Sequence, residues 1–407
     1  MLNVALGVVV VALLTRLLGA ASYGSYALLI SLGTIVQLFA DGGLYLTLTR
    51  QLAEAPKRQT ALLSHTMSLR LALLVVAFTI GLALTLVIPS LHSLTAAFVL
   101  VALGLVAQSM SQLLMGVFQQ AQSIWPATVG DLLGRGAQLA AIGALAATAV
   151  TLEGMALTFA VGAGVALFAH QLLLPTARRW RLTAHWPTWK ELAAVSWPLG
   201  ALLLLSAIYF RIDTVILSLY WDAARVGYYG LAYRIIESAL FFPAMLGGLL
   251  LPRLSEALAK NQRARAGRLV SEGLTVALGV ALVGVALAAG FAQEIIQVVS
   301  GADFAPAAPL LMLLAPALLI LFAGNIFGFT LVALKKQVAL LKLYAGLVVL
   351  NLILNLLFIP QYGATAAALT TLITEGLAAG IAGWLTWRLL PWRLAYPRLL
   401  LRKPAKQ

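Results

Sequence analysis

Apolar positions in this chain come in blocks of about twenty residues, separated by short polar links. A helix needs ~20 consecutive apolar residues to cross the hydrocarbon core of a bilayer. Twelve blocks meet that length, at about 2–19, 23–48, 67–88, 94–118, 127–149, 153–176, 193–220, 226–251, 269–291, 307–333, 338–359 and 364–387. The pattern therefore predicts an all-α integral membrane protein. The longest connections are the basic links after the second, sixth and eighth blocks and the stretch "AQEIIQVVSGADFAPAAP". The first block, "MLNVALGVVVVALL", has the greasiness of a secretory leader but lacks its charged opening, so it reads as a span.

Composition supports the same solvent. Hydrophobic residues fill 62% of 407 positions and charged residues only 10%, against roughly 45–50% and 25% in soluble domains. A single soluble core does not grow to absorb such an excess. Cysteine is absent, which excludes disulfides and thiolate metal sites. His65, His92, His170 and His185 form no ligand-spaced pair, so no metal centre is expected.

The net charge of +14 could indicate nucleic acid, but its placement points elsewhere. All but four of the 27 lysines and arginines fall on alternate links or on the C-terminal tail. Arg225 is alone on the opposite links. By the positive-inside rule both termini are then cytoplasmic, and no nucleic-acid partner is expected. The other three exceptions, Arg16, Arg211 and Arg234, lie within blocks, toward their non-cytoplasmic halves.

The chain also repeats itself. "AASYGSYALL" from Ala20 matches "AARVGYYGLA" from Ala223 at an offset that pairs Gly24 with Gly227, Tyr26 with Tyr229 and Arg50 with Arg253. Two halves of six spans share one orientation and are expected to be related by an axis along the membrane normal. The expected divisions are residues 1–184, 185–390 and a basic tail, 391–407. Spacings such as Gly130/Gly134 and Gly376/Gly380 permit close helix contact.

Three stretches carry a family resemblance. "TRLLGAASYGSYALLISLGTIVQLFADGGLYLTLTRQLAE" resembles the opening helix pair of the polysaccharide exporters. "RIDTVILSLYWDAARVGYYGLAYRIIESALFFPAMLGGLLLPRLSE" is similar to their seventh and eighth spans. "NLILNLLFIPQYGATAAALTTLITEG" looks like their eleventh and twelfth. The resemblance is to the multidrug/oligosaccharidyl-lipid/polysaccharide exporter superfamily, and within it to the O-antigen and capsule repeat-unit flippases. It implies two six-helix lobes around a central cavity, alternating access, and location in the inner membrane. The implied cargo is an oligosaccharide on undecaprenyl diphosphate, with membrane lipids and other polysaccharide-assembly proteins as partners. It implies no cofactor, only coupling to a proton or sodium gradient. Family members usually carry a short basic segment before the first span, and this sequence shows none.

Arginine at bilayer depth costs at least ~2.5–3.5 kcal/mol and normally faces a cavity or a partner. Its planar fork suits a diphosphate, which makes Arg211, Arg234 and Arg16 the candidate substrate-binding residues; Arg16 could equally snorkel. Arg211 and Asp213, two apart on a helix, project about 200° from each other. Arg234 and Glu237, three apart, share a face; a bridge between Asp213 and Arg234 is an equal alternative to a substrate role for Arg234. Asp213, Glu237, Glu375 and Asp41 are the candidates for ion coupling or structural pairing. Asp41 opens an Asp-Gly-Gly element and reads best as a helix break. Asp131 and Arg135 look like a local pair.

Other readings are a drug or small-solute antiporter, a peptidoglycan-precursor flippase, and a membrane glycosyltransferase or polymerase. Arginines in the outer halves disfavour a carrier for cations, and twelve spans disfavour the precursor flippase. The links are too short to fold a catalytic domain, so no enzyme is expected.

Overall fold

The computed structural model describes residues 2–54, 59–87, 89–121, 123–174 and 180–390. The tail 391–407 lies outside them, as do Lys57, Arg58, Arg178 and Arg179. Among the described residues all regular structure is helical: α1 Leu2–Asp41, α2 Leu44–Glu54, α3 Gln59–Val87, α4 Thr95–Gln120, α5 Ile124–Ala146, α6 Leu152–Leu173, α7 Trp186–Tyr220, α8 Ala223–Ala239, α9 Phe241–Ala259, α10 Arg263–Gly290, α11 Ala292–Ser300, α12 Ala307–Leu314, α13 Ala317–Ala333 and α14 Gln337–Leu389. Seven helical stretches are long and apolar enough to cross a bilayer, or eight if the bent pair α12–α13 counts as one span.

Two of those stretches are double. α1 breaks at Gly19 (φ 71°) and α14 at Gly363 (φ 58°), the positions at which the apolar blocks part. Left-handed φ costs glycine little and other residues more, so a single glycine kinks the helix there without a loop. α1 then stops at Asp41, where Gly42 and Gly43 are both left-handed, and α2 follows.

Three sequence expectations are corrected. α3 begins at Gln59 rather than 67, which carries Arg70 about 16 Å into the helix; it is not a link charge. The stretch from Ala292 to Pro309 is mostly helix, holding α11 and the start of α12, because its apolar residues recur at helical spacing. α7 starts seven residues early: Thr188 N donates to His185 Nδ1 at 3.4 Å and a proline occupies the first turn.

The chain divides into two compact units, Met1–Gly227 with Val299–Asp303, and Tyr228–Val298 with Phe304 onward. The sequence repeat places a boundary at 184/185; by contact, α7 stays with the first unit, where Gly200 packs directly on the backbone of Gly42.

In the first unit the core runs through Leu48, Met67, Leu74, Val101, Leu105 and Leu113. Small residues let α5 and α6 touch: a Cβ on Gly134 would stand 2.7 Å from the Gly162 carbonyl oxygen. In the second unit Phe242 stacks on Phe322 at 6.2 Å, and Gly383 admits the ring of Phe327. Gly376 and Gly380 do not form a tight crossing; nothing lies within 4 Å of a Cβ at Gly380. Both units turn large apolar side chains outward, such as Val75, Val76 and Ile80 on α3 and Leu282, Val283 and Leu287 on α10. That surface suits lipid, where backbone groups must be satisfied within helices.

Candidate functional site

The most enclosed charge in the first unit is Arg70, with 0% of its side chain exposed. Its Nη1 lies 2.7 Å from Asp41 Oδ1. Nε donates to Ser109 Oγ at 2.7 Å and Nη2 to Gln112 Oε1 at 3.1 Å. Helix geometry builds this cluster: the Asp-Gly-Gly break ends α1 with a carboxylate, α3 passes beside it, and α4 supplies Ser109 and Gln112 one turn apart. Asp41 Oδ1 also accepts from Tyr45 N at 3.4 Å, tying the start of α2 to the break. A buried charge needs such a counter-ion and such acceptors.

Gln112 has a second surface. It lines a cavity of ≈ 260 Å³ together with Asn3, Gln108, Ser111, Asp131, Arg135 and Gln138, between α1, α4, α5 and α6. Asn3 Nδ2 donates to Asp131 Oδ2 at 3.3 Å, and His170 Nε2 lies 3.9 Å from Asp131 Oδ1. His170 is wholly buried, sits over Gly130, and shares its Nε2 with the Ala127 carbonyl at 3.0 Å. Arg135 donates to Gln138 Oε1 at 3.2 Å. The arrangement places a part-exposed carboxylate and a guanidinium around one small space inside the unit, with the buried His170 beside the carboxylate.

The sequence-predicted residues fall in three environments. Arg16 is exposed and donates from Nε to the Val299 carbonyl at 3.2 Å. On α7, Arg211 is half-buried whereas Asp213 is 4% exposed and accepts from Thr214 N at 2.6 Å; the two carry different environments, as their helical separation requires. In the second unit Arg234 is exposed and pairs with Glu237 at 2.9 Å on the same helix. Glu375 is 6% exposed on α14. Beside it, Asn351 Nδ2 donates to Thr374 Oγ1 at 3.3 Å and Asn355 Nδ2 to Asn351 Oδ1 at 2.9 Å. The Asn-x-x-x-Asn pattern thus closes the hairpin that Gly363 opens. Arg225, in the first turn of α8, lies over the Trp221 ring at 4.2 Å and 3.4 Å from Asp222.

Sequence reading missed the role of Arg70 and the grouping of Asn3, Asp131 and His170. One signal was available: a carboxylate inside an apolar block, as Asp41 is, requires a cationic neighbour or a hydrogen-bonded site. The other grouping joins positions more than a hundred residues apart and leaves no local trace.

Comparison with known proteins follows this geometry. A family model described as "Polysaccharide biosynthesis protein" matches residues 1–258, and the MatE model matches residues 198–357. A "Probable low-salt glycan biosynthesis flippase" of Haloferax volcanii is 26% identical over 166 residues, 41% of this chain and 35% of that protein. The match thus spans about a third of the relative's length. An inward-facing multidrug resistance MATE family transporter of the MOP superfamily shares the fold with a TM-score of 0.80 at 14% identity, covering 95% of this chain and 94% of that one. The lipid II flippase MurJ does so with a TM-score of 0.74 at 15% identity, covering 94% and 85%.

Proposed function

Since the chain belongs to the polysaccharide biosynthesis protein family, we propose that it is a flippase for a lipid-linked oligosaccharide in surface-polysaccharide synthesis. The cargo is an oligosaccharide repeat unit on undecaprenyl diphosphate, turned across the inner membrane by alternating access. Twelve spans form two six-helix lobes, with both termini in the cytoplasm. The breaks at Gly19 and Gly363, which divide two long helices, support that count.

The observation that carries the reading is a contrast between arginines. Arg70 is fully enclosed by its own partners and can touch no cargo. Arg211, on an apolar helix, is half-buried, and Arg16 is exposed. A cation at that depth normally faces a cavity or a partner, and a diphosphate offers the oxygens that a guanidinium binds bidentately. Transport needs no chemical step from the protein.

A second reading has its own support. The cavity around Asp131 is too small for a saccharide and suits an ion or small solute, as in an antiporter. In the flippase the same carboxylate couples transport to a proton or sodium gradient. Deleting the gene in its host distinguishes the readings: surface polysaccharide is lost and lipid-linked repeat units accumulate in the inner leaflet. Unchanged polymer with raised drug sensitivity would favour the antiporter.

A further inference from the structure

A second space in the first unit has the opposite character to the polar cavity. A groove of ≈ 460 Å³ lies between the second half of α1, the last turns of α3 and α7, the turn Pro89–Leu94 and the start of α4. Its wall on α1 is the stripe Ser25, Leu28, Leu32 and Val36, spaced three or four apart on one helix face. From Ser25 to Val36 a helix rises about 16 Å, close to one leaflet of a hydrocarbon core ~30 Å thick. Three of the four hydroxyls that line the groove are spent within their own helices. Ser25 donates to the Ala21 carbonyl at 3.3 Å, Thr85 to Leu82 at 2.8 Å and Ser218 to Val215 at 2.7 Å. Leu84 and Leu219 also line it and are 52% and 70% exposed, so it opens onto the apolar surface that suits lipid. Trp221 borders the groove, and the Arg225 guanidinium lies over its ring at 4.2 Å with 49% of the side chain exposed. Asp222 Oδ2 stands 3.4 Å from Arg225 Nε. That carboxylate takes one edge of the fork and leaves the terminal nitrogens for a phosphate.

We propose that this groove holds one glycerophospholipid, with an acyl chain along the α1 stripe and its phosphate on Arg225. Three features meet in that occupant. The stripe is as long as a chain of one leaflet. The walls offer carbon surface and spent hydroxyls, which an aqueous solute cannot use. Trp221 and Arg225 stand together at one end, and an amphipathic ring beside a long cationic side chain suits the membrane–water interface. On the topology proposed above, that end lies at the outer leaflet; the inference takes this placement from that reading, and nothing about the cargo. The undecaprenyl chain of the proposed cargo is far longer than the stripe, whereas a phospholipid chain matches it. A lipid seated here touches α1, α3, α4 and α7 at once and ties their outer ends to the composition of the bilayer.

The test reconstitutes the full chain in liposomes of phosphatidylethanolamine and phosphatidylglycerol, doped with phosphatidylglycerol whose acyl chain carries a photoreactive diazirine. After irradiation, adducts are mapped by mass spectrometry of peptides. Leu28, Leu32 and Val215 in the groove should carry adducts several-fold more often than Val75 and Val76, which α3 turns outward. Leu32→Trp fills the groove and should abolish those adducts while leaving the ones on Val75 and Val76. Arg225→Gln should lower groove labelling several-fold, and equal labelling would refute the headgroup contact and the proposal with it. The unsubstituted protein decides the matter even where Leu32→Trp fails to accumulate: adducts confined to outward-facing residues overturn the site. A polyprenyl phosphate bearing the same diazirine, at equal mole fraction, should label the groove less. Stronger labelling by that probe would give the groove to the cargo's chain and overturn the proposal. Adducts are read by residue, so a reversed topology, detected by cysteine labelling at Lys260 and Asp303, would move the site to the inner leaflet without removing it.

Discussion

Asp41→Asn should destabilise the protein far more than its single lost charge suggests. The carboxylate is the 2.7 Å partner of a guanidinium with no exposed side-chain surface. Removing one member leaves the other charge buried and uncompensated, which costs about 3–5 kcal/mol. At about 1.4 kcal/mol per decade, the folded-to-unfolded ratio falls by roughly two to four orders of magnitude. Arg70→Met should cost a similar amount, since Asp41 is then the stranded ion. The double variant Asp41→Asn/Arg70→Met removes both charges and should be more stable than either single. Its residual cost is the loss of donors to Ser109 Oγ and Gln112 Oε1, and Gln112 borders the cavity, where water can replace the bond. The assay is the midpoint of heat-induced loss of the monodisperse peak in fluorescence-detected size exclusion, with all four proteins in one detergent. The expected order is parent, then double, then the two singles. Additive losses, or an Asp41→Asn variant as stable as the parent, would refute the coupled-pair reasoning.

Arg211→Ala should insert and accumulate normally yet abolish polymer export, while Arg211→Lys, which keeps charge without the fork, should export weakly; normal export by a well-accumulated Arg211→Ala variant would remove this residue from the cargo path. The exposed pair Arg234–Glu237 should contribute less than about 1 kcal/mol, so Glu237→Gln should leave the thermal midpoint nearly unchanged, and a large drop would contradict that. Cysteine at Lys260 should label only from the cytoplasmic side and cysteine at Asp303 only from outside; labelling of both from one face would overturn the topology.

Much of the architecture was legible in the sequence because a bilayer imposes a local rule. Each span must be apolar over a fixed length and must satisfy its own backbone, so apolar blocks and the breaks between them read directly as helices and kinks. Gly19 and Gly363 show this well: the blocks part there, and the backbone turns left-handed there. The repeat relating Gly24 to Gly227 was equally plain, as was the helical separation of Arg211 from Asp213. Partners were another matter. Arg70 had the appearance of one more link charge until α3 carried it inside against Asp41 and Ser109. Asp131 lay beside Arg135 in sequence, but folding brings it Asn3 and His170. Hydrophobic length acts on each segment separately and leaves its mark in the segment itself. Ion pairs, cavities and glycine crossings arise where distant segments meet, and only their packing in three dimensions decides which polar groups share a space.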